Sequence, residues 1–264
     1  MIPFTPTPVL FSVGPIAVRY YGLAFASGFL LSYFALRKSA LREHADDLIL
    51  WIMVGVIAGG RIGEFIFYSP RLLWQKPLEI FMIWHGGMSF HGGLIGCLIG
   101  VWLYCRKHKL SLLDVADITV LPTAIGLVLG RTANFLNGEL VGTVTNVPWC
   151  VVMDGVTGCR HPSPIYEALY TLVIVVVLAC MIFLSKSKRA RGTLFATFLI
   201  LYGLFRFIVN FWRDDLLYFG ISTGQYLSLF TLVAGVWLMI WTRSLSTQES
   251  STVVTGNHKK RRRG

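Results

Sequence analysis

Three arginines in strongly apolar surroundings are the first candidates for chemistry in this sequence. Arg61, Arg131 and Arg206 each lie in a stretch of about 20 mostly apolar residues. An arginine inside a bilayer costs at least a few kcal/mol, so it is retained where it faces a cavity with an anionic partner. Arg61 has Glu64 one helical turn later, which predicts a structural ion pair. Arg131 and Arg206 have no acidic residue three or four positions away, so they either pair across helices or bind an anionic ligand.

Arg206 belongs to a predicted polar stripe. Tyr202, Arg206, Asn210 and Arg213 recur at helical spacing among aromatic and aliphatic neighbours. Their side chains therefore share one face of a helix. Such a face would line a polar cavity that opens toward the end of the helix near Arg213. The alternative is an arginine that snorkels to the membrane interface.

A second polar cluster, residues 130–142, combines an arginine with amides, a carboxylate and three glycines. Its candidate binding residues are Arg131, Asn134, Asn137, Glu139 and Gly142. Amides beside an arginine offer several hydrogen-bond donors to one oxyanion, and glycine lets the backbone approach a ligand. Helix capping would account for Asn137 and Gly138, but it would not account for Arg131 and Asn134.

Two His-Gly-Gly units, which begin at His85 and His91, flank the predicted start of the third apolar stretch. We predict no metal site there, because no nearby spacing of Cys, His or carboxylates completes one. Ser89 and His91 do not form a hydrolase pair, since residues two apart do not face each other on a helix. Histidine exchanges protons near neutral pH, so His91 is the candidate proton acceptor.

The elements that position these residues are predicted to be membrane-spanning helices. Hydrophobic residues make up 55% of the 264 residues and charged residues only 14%, whereas a soluble domain carries about a quarter charged residues. We therefore predict an all-α polytopic membrane protein with seven transmembrane helices. The predicted spans are 17–36, 48–68, 89–105, 115–136, 165–184, 192–211 and 222–242.

Basic residues are distributed unequally between the two sides of the predicted bundle. Sixteen lie in the loops and tail of one side and five on the other, so the N-terminus is expected outside and the C-terminus in the cytoplasm. The net charge of +11 then reflects topology and contacts with anionic lipid, and nucleic-acid binding is not expected. We predict one transmembrane domain over residues 1–246 and a basic, disordered cytoplasmic tail over 247–264. Cys150 and Cys159 share a polar loop and could form a disulfide if that loop is extracytoplasmic.

Six short segments together resemble the bacterial phosphatidylglycerol–prolipoprotein diacylglyceryl transferases. Residues 130–142 are similar to the family signature G-R-x-x-N-F-x-N-x-E-x-x-G, and the other five segments occur in family order along nearly the whole chain. These are Tyr21-Gly22, Gly60-Arg61, 90–93, 161–167 and 202–206. The resemblance implies a multi-pass enzyme of the bacterial inner membrane that needs no cofactor or metal. Its substrates would be phosphatidylglycerol and the lipobox cysteine of a preprolipoprotein, and glycerol phosphate would be released.

The expected chemistry explains why these side chains suit the reaction. A thiolate attacks the glyceryl carbon while the phosphate leaves, and the phosphate charge grows from one toward two. Cationic groups aimed at the phosphate therefore interact more strongly in the transition state. The resemblance assigns this role to Arg131 and Arg206, and His91 is the expected base for the cysteine thiol. The expected substrate-binding residues are Tyr21, Asn134, Asn137, Glu139, Gly142, Tyr202 and Asn210.

The sequence departs from the family pattern in three places. Asn210 stands where the family usually has a glutamate, and three nearby carboxylates could replace it: Glu139, Asp214 and Asp215. His85 stands where the family commonly has an acidic or polar residue. The outer segment between spans four and five is short. The alternative function is a transporter with an anion pathway lined by Arg131 and Arg206, but that function does not predict the histidine–glycine cluster.

Overall fold

The structure, a computed structural model, describes residues 1–14, 16–82, 86–184 and 189–261. His85 lies outside the described residues, as do four of the sixteen basic residues counted on the cytoplasmic side: Lys186, Lys188, Arg262 and Arg263. The described α-helices are α1 (Tyr20–Arg37), α2 (Ala45–Phe67), α3 (Pro70–Gln75), α4 (Phe90–His108), α5 (Leu112–Leu136), α6 (Ser163–Leu184), α7 (Thr193–Val209) and α8 (Thr223–Arg261). The described strands are β1 (Ile2–Phe4), β2 (Val9–Val13), β3 (Ile16–Arg19), β4 (Val151–Met153), β5 (Leu217–Tyr218) and β6 (Ile221–Ser222).

Most of the described chain is helical, in agreement with the predicted all-α class. Within the described ranges, five helices are long and apolar enough to cross a membrane. They cover Arg42–Phe67, Leu112–Leu136, Ser163–Leu184, Thr193–Trp212 and Thr223–Ser244. The other two predicted spans form helices α1 and α4, of 18 and 19 residues, which fall below that criterion. Helix α4 contains four glycines and ends in Arg106, Lys107 and His108, so it is less apolar than the five.

The chain divides into two compact units. The first unit comprises Met1–Gly28 and Thr119–Gly264, and the second comprises Phe29–Ile118. Helix α8 continues to Arg261 and so includes the described part of the predicted tail. The division into a transmembrane domain and a disordered tail stays a prediction.

The first unit has a core built from α5, α6 and α7. Its buried members are Val120, Ala124, Tyr170, Ile174, Leu178, Leu194, Phe198 and Val209. Beyond the helix ends, β1 pairs in parallel with β4, with Ile2 opposite Val151. A disulfide joins Cys150 to Cys159 in the adjoining loop, which confirms the pairing that the sequence left open. The loop before α6 is therefore joined to the N-terminal strand by strand pairing and is cross-linked internally by the disulfide.

The second unit is organised by the close approach of α2 and α4. A Cβ atom added to Gly63 would lie 2.7 Å from the Gly92 Cα atom, so glycine allows the two backbones to meet. The Ser89 N–H donates to the Gly60 carbonyl at 2.9 Å. The Ser89 hydroxyl caps α4 by accepting from the Gly92 N–H at 3.2 Å. These contacts determine where α4 begins, and therefore also the position of His91 in its first turn.

Candidate active site

A buried carboxylate on α6, Glu167, lies at the centre of the polar cluster in the first unit. Its side chain is fully buried and pairs with three arginines from different segments. Arg131 on α5 places Nε 2.7 Å from Oε2 of Glu167. Arg206 on α7 donates from Nη1 to Oε1, and Arg213, after α7, donates to the same oxygen at 2.8 Å. Arg131 and Arg206 therefore pair across helices, which was one of the two predicted alternatives, and Arg206 does not snorkel.

The cluster retains excess positive charge even after its second carboxylate is counted. Asp215 pairs with Arg213, with Nε 3.1 Å from Oδ2 and Nη2 3.3 Å from Oδ1. Two carboxylates thus face three guanidinium groups, which leaves a net charge of one. We call Arg131, Arg206, Arg213, Glu167 and Asp215 together the arginine cluster. Because a guanidinium carries five N–H donors, the cluster can bind a further anion.

The charged partners shift the pKa values of the two cluster residues that follow α7. Partial burial alone would raise the pKa of Asp215, but its hydrogen bonds and its attraction to Arg213 outweigh burial and hold that pKa below its ordinary value. Burial alone would lower the pKa of Arg213, but Asp215 and Glu167 raise it. Both groups are therefore ionised at neutral pH.

The signature segment connects to this cluster through a chain of side chains. Arg131 donates from Nη1 to Oδ1 of Asn134 at 3.4 Å. The Asn134 and Asn137 amides donate to the two oxygens of Glu139, at 2.8 and 3.1 Å. The amide donors that the sequence assigned to an oxyanion are thus engaged by Glu139 in this structure. Of the two residues, Asn134 alone contacts Arg131 in the described structure and so helps to orient it.

Gly142 is a point of close backbone contact. Its N–H donates to the His161 carbonyl at 2.9 Å, and the next N–H, from Thr143, donates to the Trp212 carbonyl at 3.0 Å. A Cβ atom at Gly142 would lie 2.8 Å from both the carbonyl oxygen and the Cβ atom of His161. Glycine is therefore required where this loop meets the segments that precede α6 and follow α7.

The polar stripe on α7 extends into the cluster. Tyr202 packs its ring against Tyr170, with centroids 5.9 Å apart. Asn210 is buried and donates from Nδ2 to Oδ2 of Asp215 at 3.1 Å. Asp215 is therefore the carboxylate beside Asn210.

The other two carboxylates considered as replacements have different partners. Glu139 binds the amides of Asn134 and Asn137. Asp214 pairs with Arg160 at 2.6 Å.

A histidine that the sequence did not select, His161, lies in the same unit as the cluster. Its Nδ1 atom is 3.0 Å from the Tyr166 hydroxyl, which accepts from Trp149 Nε1 at 2.7 Å. Burial lowers the pKa of His161 below its ordinary value, so its imidazole is neutral at pH 7. The hydrogen bond orients the ring just before α6.

Two predicted site residues take part in none of the contacts described above. His91 is exposed in the first turn of α4, in the second unit, with the Phe90 ring 5.7 Å away. Tyr21 lies at the start of α1 with its ring 5.2 Å from that of Phe25. Among the described residues, no hydrogen bond or ion pair joins Tyr21 to the arginine cluster.

The predicted ion pair between Arg61 and Glu64 is wrong. Arg61 is buried, and its guanidinium donates to backbone carbonyls of the segment that leads to α4. These carbonyls belong to Glu79, Ile80, Met82, Gly86 and Gly87. In the described residues Glu64 makes no ion pair with Arg61 and instead accepts from the Ser69 hydroxyl at 3.4 Å. The long side chain of Arg61 reaches several carbonyl dipoles at once, so its charge is stabilised without a carboxylate.

Sequence reasoning gave Glu167 no role in the site, and it named Arg213 only as part of the polar stripe and Asp215 only as a possible replacement for the family glutamate. A signal for Glu167 was present, because it is a carboxylate inside the predicted span 165–184. An ionisable residue in such a span indicates a functional site.

Comparison with known proteins is consistent with these features. The sequence matches the family described as prolipoprotein diacylglyceryl transferase over residues 8–241. A protein of Azospirillum brasilense named phosphatidylglycerol–prolipoprotein diacylglyceryl transferase is 42% identical over 252 residues, which cover 89% of this chain and 94% of that protein. Proteins of the same name from Nitratidesulfovibrio vulgaris and Agrobacterium fabrum are 40% and 38% identical, over 89% and 90% of this chain and 94% and 92% of their own lengths. The chain therefore belongs to the prolipoprotein diacylglyceryl transferase family.

Proposed function

We propose that this enzyme transfers the diacylglyceryl group of phosphatidylglycerol to the lipobox cysteine thiol of a preprolipoprotein. The thiol sulfur forms a bond to the glyceryl carbon, the bond from that carbon to the phosphate oxygen breaks, and glycerol phosphate leaves with the electron pair. The observation that carries the proposal is the arginine cluster, whose net positive charge suits a phosphate. The transporter alternative gains no support from the family.

Arg131 and Arg206 are the proposed phosphate-binding groups. Their side chains are 17% and 14% exposed, so a ligand can reach them while little water competes. The phosphate gains negative charge as the carbon–oxygen bond breaks, so these guanidinium groups stabilise the transition state more than the bound lipid. Asn134 helps to orient Arg131 by accepting a hydrogen bond from it.

Glu167 is the proposed organiser of this site. It binds one nitrogen of each arginine, which lowers the cost of holding three cations among apolar helices. It also fixes the directions in which the remaining N–H donors point. Such preorganised donors need little rearrangement during the reaction.

His91 is the proposed base that accepts the proton of the cysteine thiol. It is exposed at the start of α4, where a peptide could approach it. A free thiol has a pKa of about 8.5 and is mostly protonated at neutral pH, so a base accelerates the attack. Replacement of His91 by glutamine should lower turnover most at low pH and least near pH 9, where solution supplies the thiolate.

We further propose seven membrane spans in a bacterial inner membrane, with the N-terminus outside. Helices α1 and α4 would each extend about 27–29 Å at 1.5 Å per residue, close to the hydrocarbon thickness of about 30 Å. The unequal distribution of basic residues supports this orientation. The disulfide between Cys150 and Cys159 also supports it, because disulfides persist outside the cytoplasm.

The experiment that tests this function supplies the purified protein with phosphatidylglycerol and a lipobox peptide. The expected result is a gain of one diacylglyceryl group in peptide mass with equimolar release of glycerol phosphate. A peptide with serine in place of the lipobox cysteine, and vesicles of phosphatidylethanolamine alone, are the matched controls. Absence of product from a folded sample, beside an active relative, would refute the proposal.

A further inference from the structure

Arg213 lies between two carboxylates, and each carboxylate binds different nitrogen atoms of its guanidinium group. Nη1 reaches Oε1 of Glu167 at 2.8 Å, whereas Nε and Nη2 both face Asp215. The Arg213 side chain is only 9% exposed. Asp215 therefore determines which edge of Arg213 is available to Glu167.

This restraint affects the other two arginines, because all three share one carboxylate. Oε1 of Glu167 accepts from Arg206 as well as Arg213, and Oε2 faces Arg131. A guanidinium without a second partner tends to bind a carboxylate with two nitrogens. If Arg213 did so, it would compete with Arg131 and Arg206 for both oxygens of Glu167.

Asn210 also helps to fix the position of Asp215, because it donates to the same oxygen, Oδ2, as Arg213 Nε. Its Nδ2 donates to Asp215 at 3.1 Å and also to the Ser222 hydroxyl. Ser222 and Gln225 exchange hydrogen bonds as a capping box at the start of α8. Asn210 is thus held by a rigid helix start, and its amide lies within hydrogen-bonding distance of the carboxylate of Asp215.

We propose that Asp215 is a positioning residue for the transferase reaction, and that positions 210 and 215 are alternative places for the one negative charge that restrains Arg213. This inference rests on the proposed function. A glutamate at position 210 would lie beside Asp215 and repel it, so both carboxylates together are unfavourable. With asparagine at 215, a glutamate at 210 would supply the missing charge.

Asp215 acts through charge and not through proton transfer. The pKa of Asp215 lies below its ordinary value, because Arg213 and Asn210 stabilise the carboxylate despite partial burial. The group therefore stays ionised throughout the neutral range. A variant at this position should change turnover by a similar factor at every pH from about 6 to 8.

The test compares Asp215→Asn, Asn210→Glu and the double variant with the wild type, with kcat and KM for phosphatidylglycerol measured separately. We expect each single variant to lower kcat about tenfold, equivalent to about 1.4 kcal/mol of transition-state stabilisation. The double variant should return to within about threefold of wild type. Asp214→Asn is the matched control, because Asp214 pairs with Arg160 outside the cluster, and it should keep wild-type kcat.

Three results would overturn the inference: unchanged turnover of Asp215→Asn, an equal loss in Asp214→Asn, or no recovery in the double variant. Thermal unfolding of all variants shows which losses come from misfolding, and it provides a second double-mutant cycle. We expect stabilities that are not additive, with the double variant more stable than the two single variants predict. An inactive wild type would instead refute the proposed function, while the stability cycle still tests the charge exchange.

Discussion

Replacement of Glu167 by glutamine should destabilise the enzyme and nearly abolish its activity. Glutamine keeps the size of the side chain and one carbonyl oxygen but removes the negative charge. Three guanidinium groups would then lie around a neutral side chain, and the cluster would have a net charge of two. Arg131, Arg206 and Arg213 would repel one another in a site where little water screens them.

The magnitude follows from the burial of Glu167 and the distances of its partners. The carboxylate is fully buried, and its ion pairs with Arg131 and Arg213 measure 2.7 and 2.8 Å. Removal of one partner from a buried ion pair costs about 3–5 kcal/mol. At roughly 2–4 °C per kcal/mol for a chain of this size, the unfolding temperature should fall by about 10 °C. Turnover should fall at least about 100-fold, because a displacement of about 1 Å in positioned groups has that effect.

Unfolding in detergent and transfer to a lipobox peptide measure the two effects. Glu43→Gln is the matched control, since Glu43 is exposed in the second unit, and it should change stability by less than about 0.5 kcal/mol. A Glu167→Gln enzyme that unfolds within 2 °C of wild type (about the smallest significant shift) and retains turnover would show that Glu167 does not organise the arginines. High phosphatidylglycerol should stabilise the variant more than the wild type, because its unpaired arginines gain a phosphate partner.

Three further predictions concern residues around the cluster and in the second unit. Arg131→Ala and Arg206→Ala should each reduce kcat at least about 100-fold in the peptide assay. Lysine at either position should restore only part of the turnover, because lysine lacks the planar guanidinium group. Equal turnover by Arg206→Ala and wild type would contradict phosphate binding. Arg61→Ala should lower the yield of folded protein and leave kcat per folded molecule within about threefold, since its contacts are to backbone carbonyls; size-exclusion chromatography with active-site titration separates the two. Gly142→Ala should destabilise the enzyme by about 1–3 kcal/mol through the clash with His161, and unchanged thermal unfolding would disprove the close contact.

The helices were predictable from the sequence because apolar length is a local property. All seven predicted spans fall on described helices, and five meet the criterion for crossing a membrane. The short strands were not predicted, since β1 and β4 are about 150 residues apart and neither has a pattern of its own. Likewise, no local signal showed that the chain forms two compact units.

The sequence pointed to two arginines of the candidate site, but not to the carboxylate that they share. Arg131 and Arg206 were conspicuous because a charge in an apolar stretch is rare. Their shared partner Glu167 lies 36 and 39 residues away in sequence, on another helix, so no spacing rule connects them. The Arg61–Glu64 prediction failed for the opposite reason. Helical spacing places the two residues close together, but it does not show that backbone carbonyls from another segment surround the guanidinium.

Arg61, Arg160 and Arg206 are stabilised in three different ways, and the difference supports the ligand site that we propose. Arg61 makes five hydrogen bonds to carbonyls, which equals its five N–H donors, so it has none left for a substrate. Arg160 and Asp214 form a neutral pair with one charge each. Arg206, by contrast, uses a single nitrogen on Glu167 in its described contacts, and its cluster keeps a positive charge. A purely structural ion-pair network would balance its charges. An unbalanced cluster with unused donors can accept a further anion, and in the function we propose this anion is the phosphate of the lipid substrate.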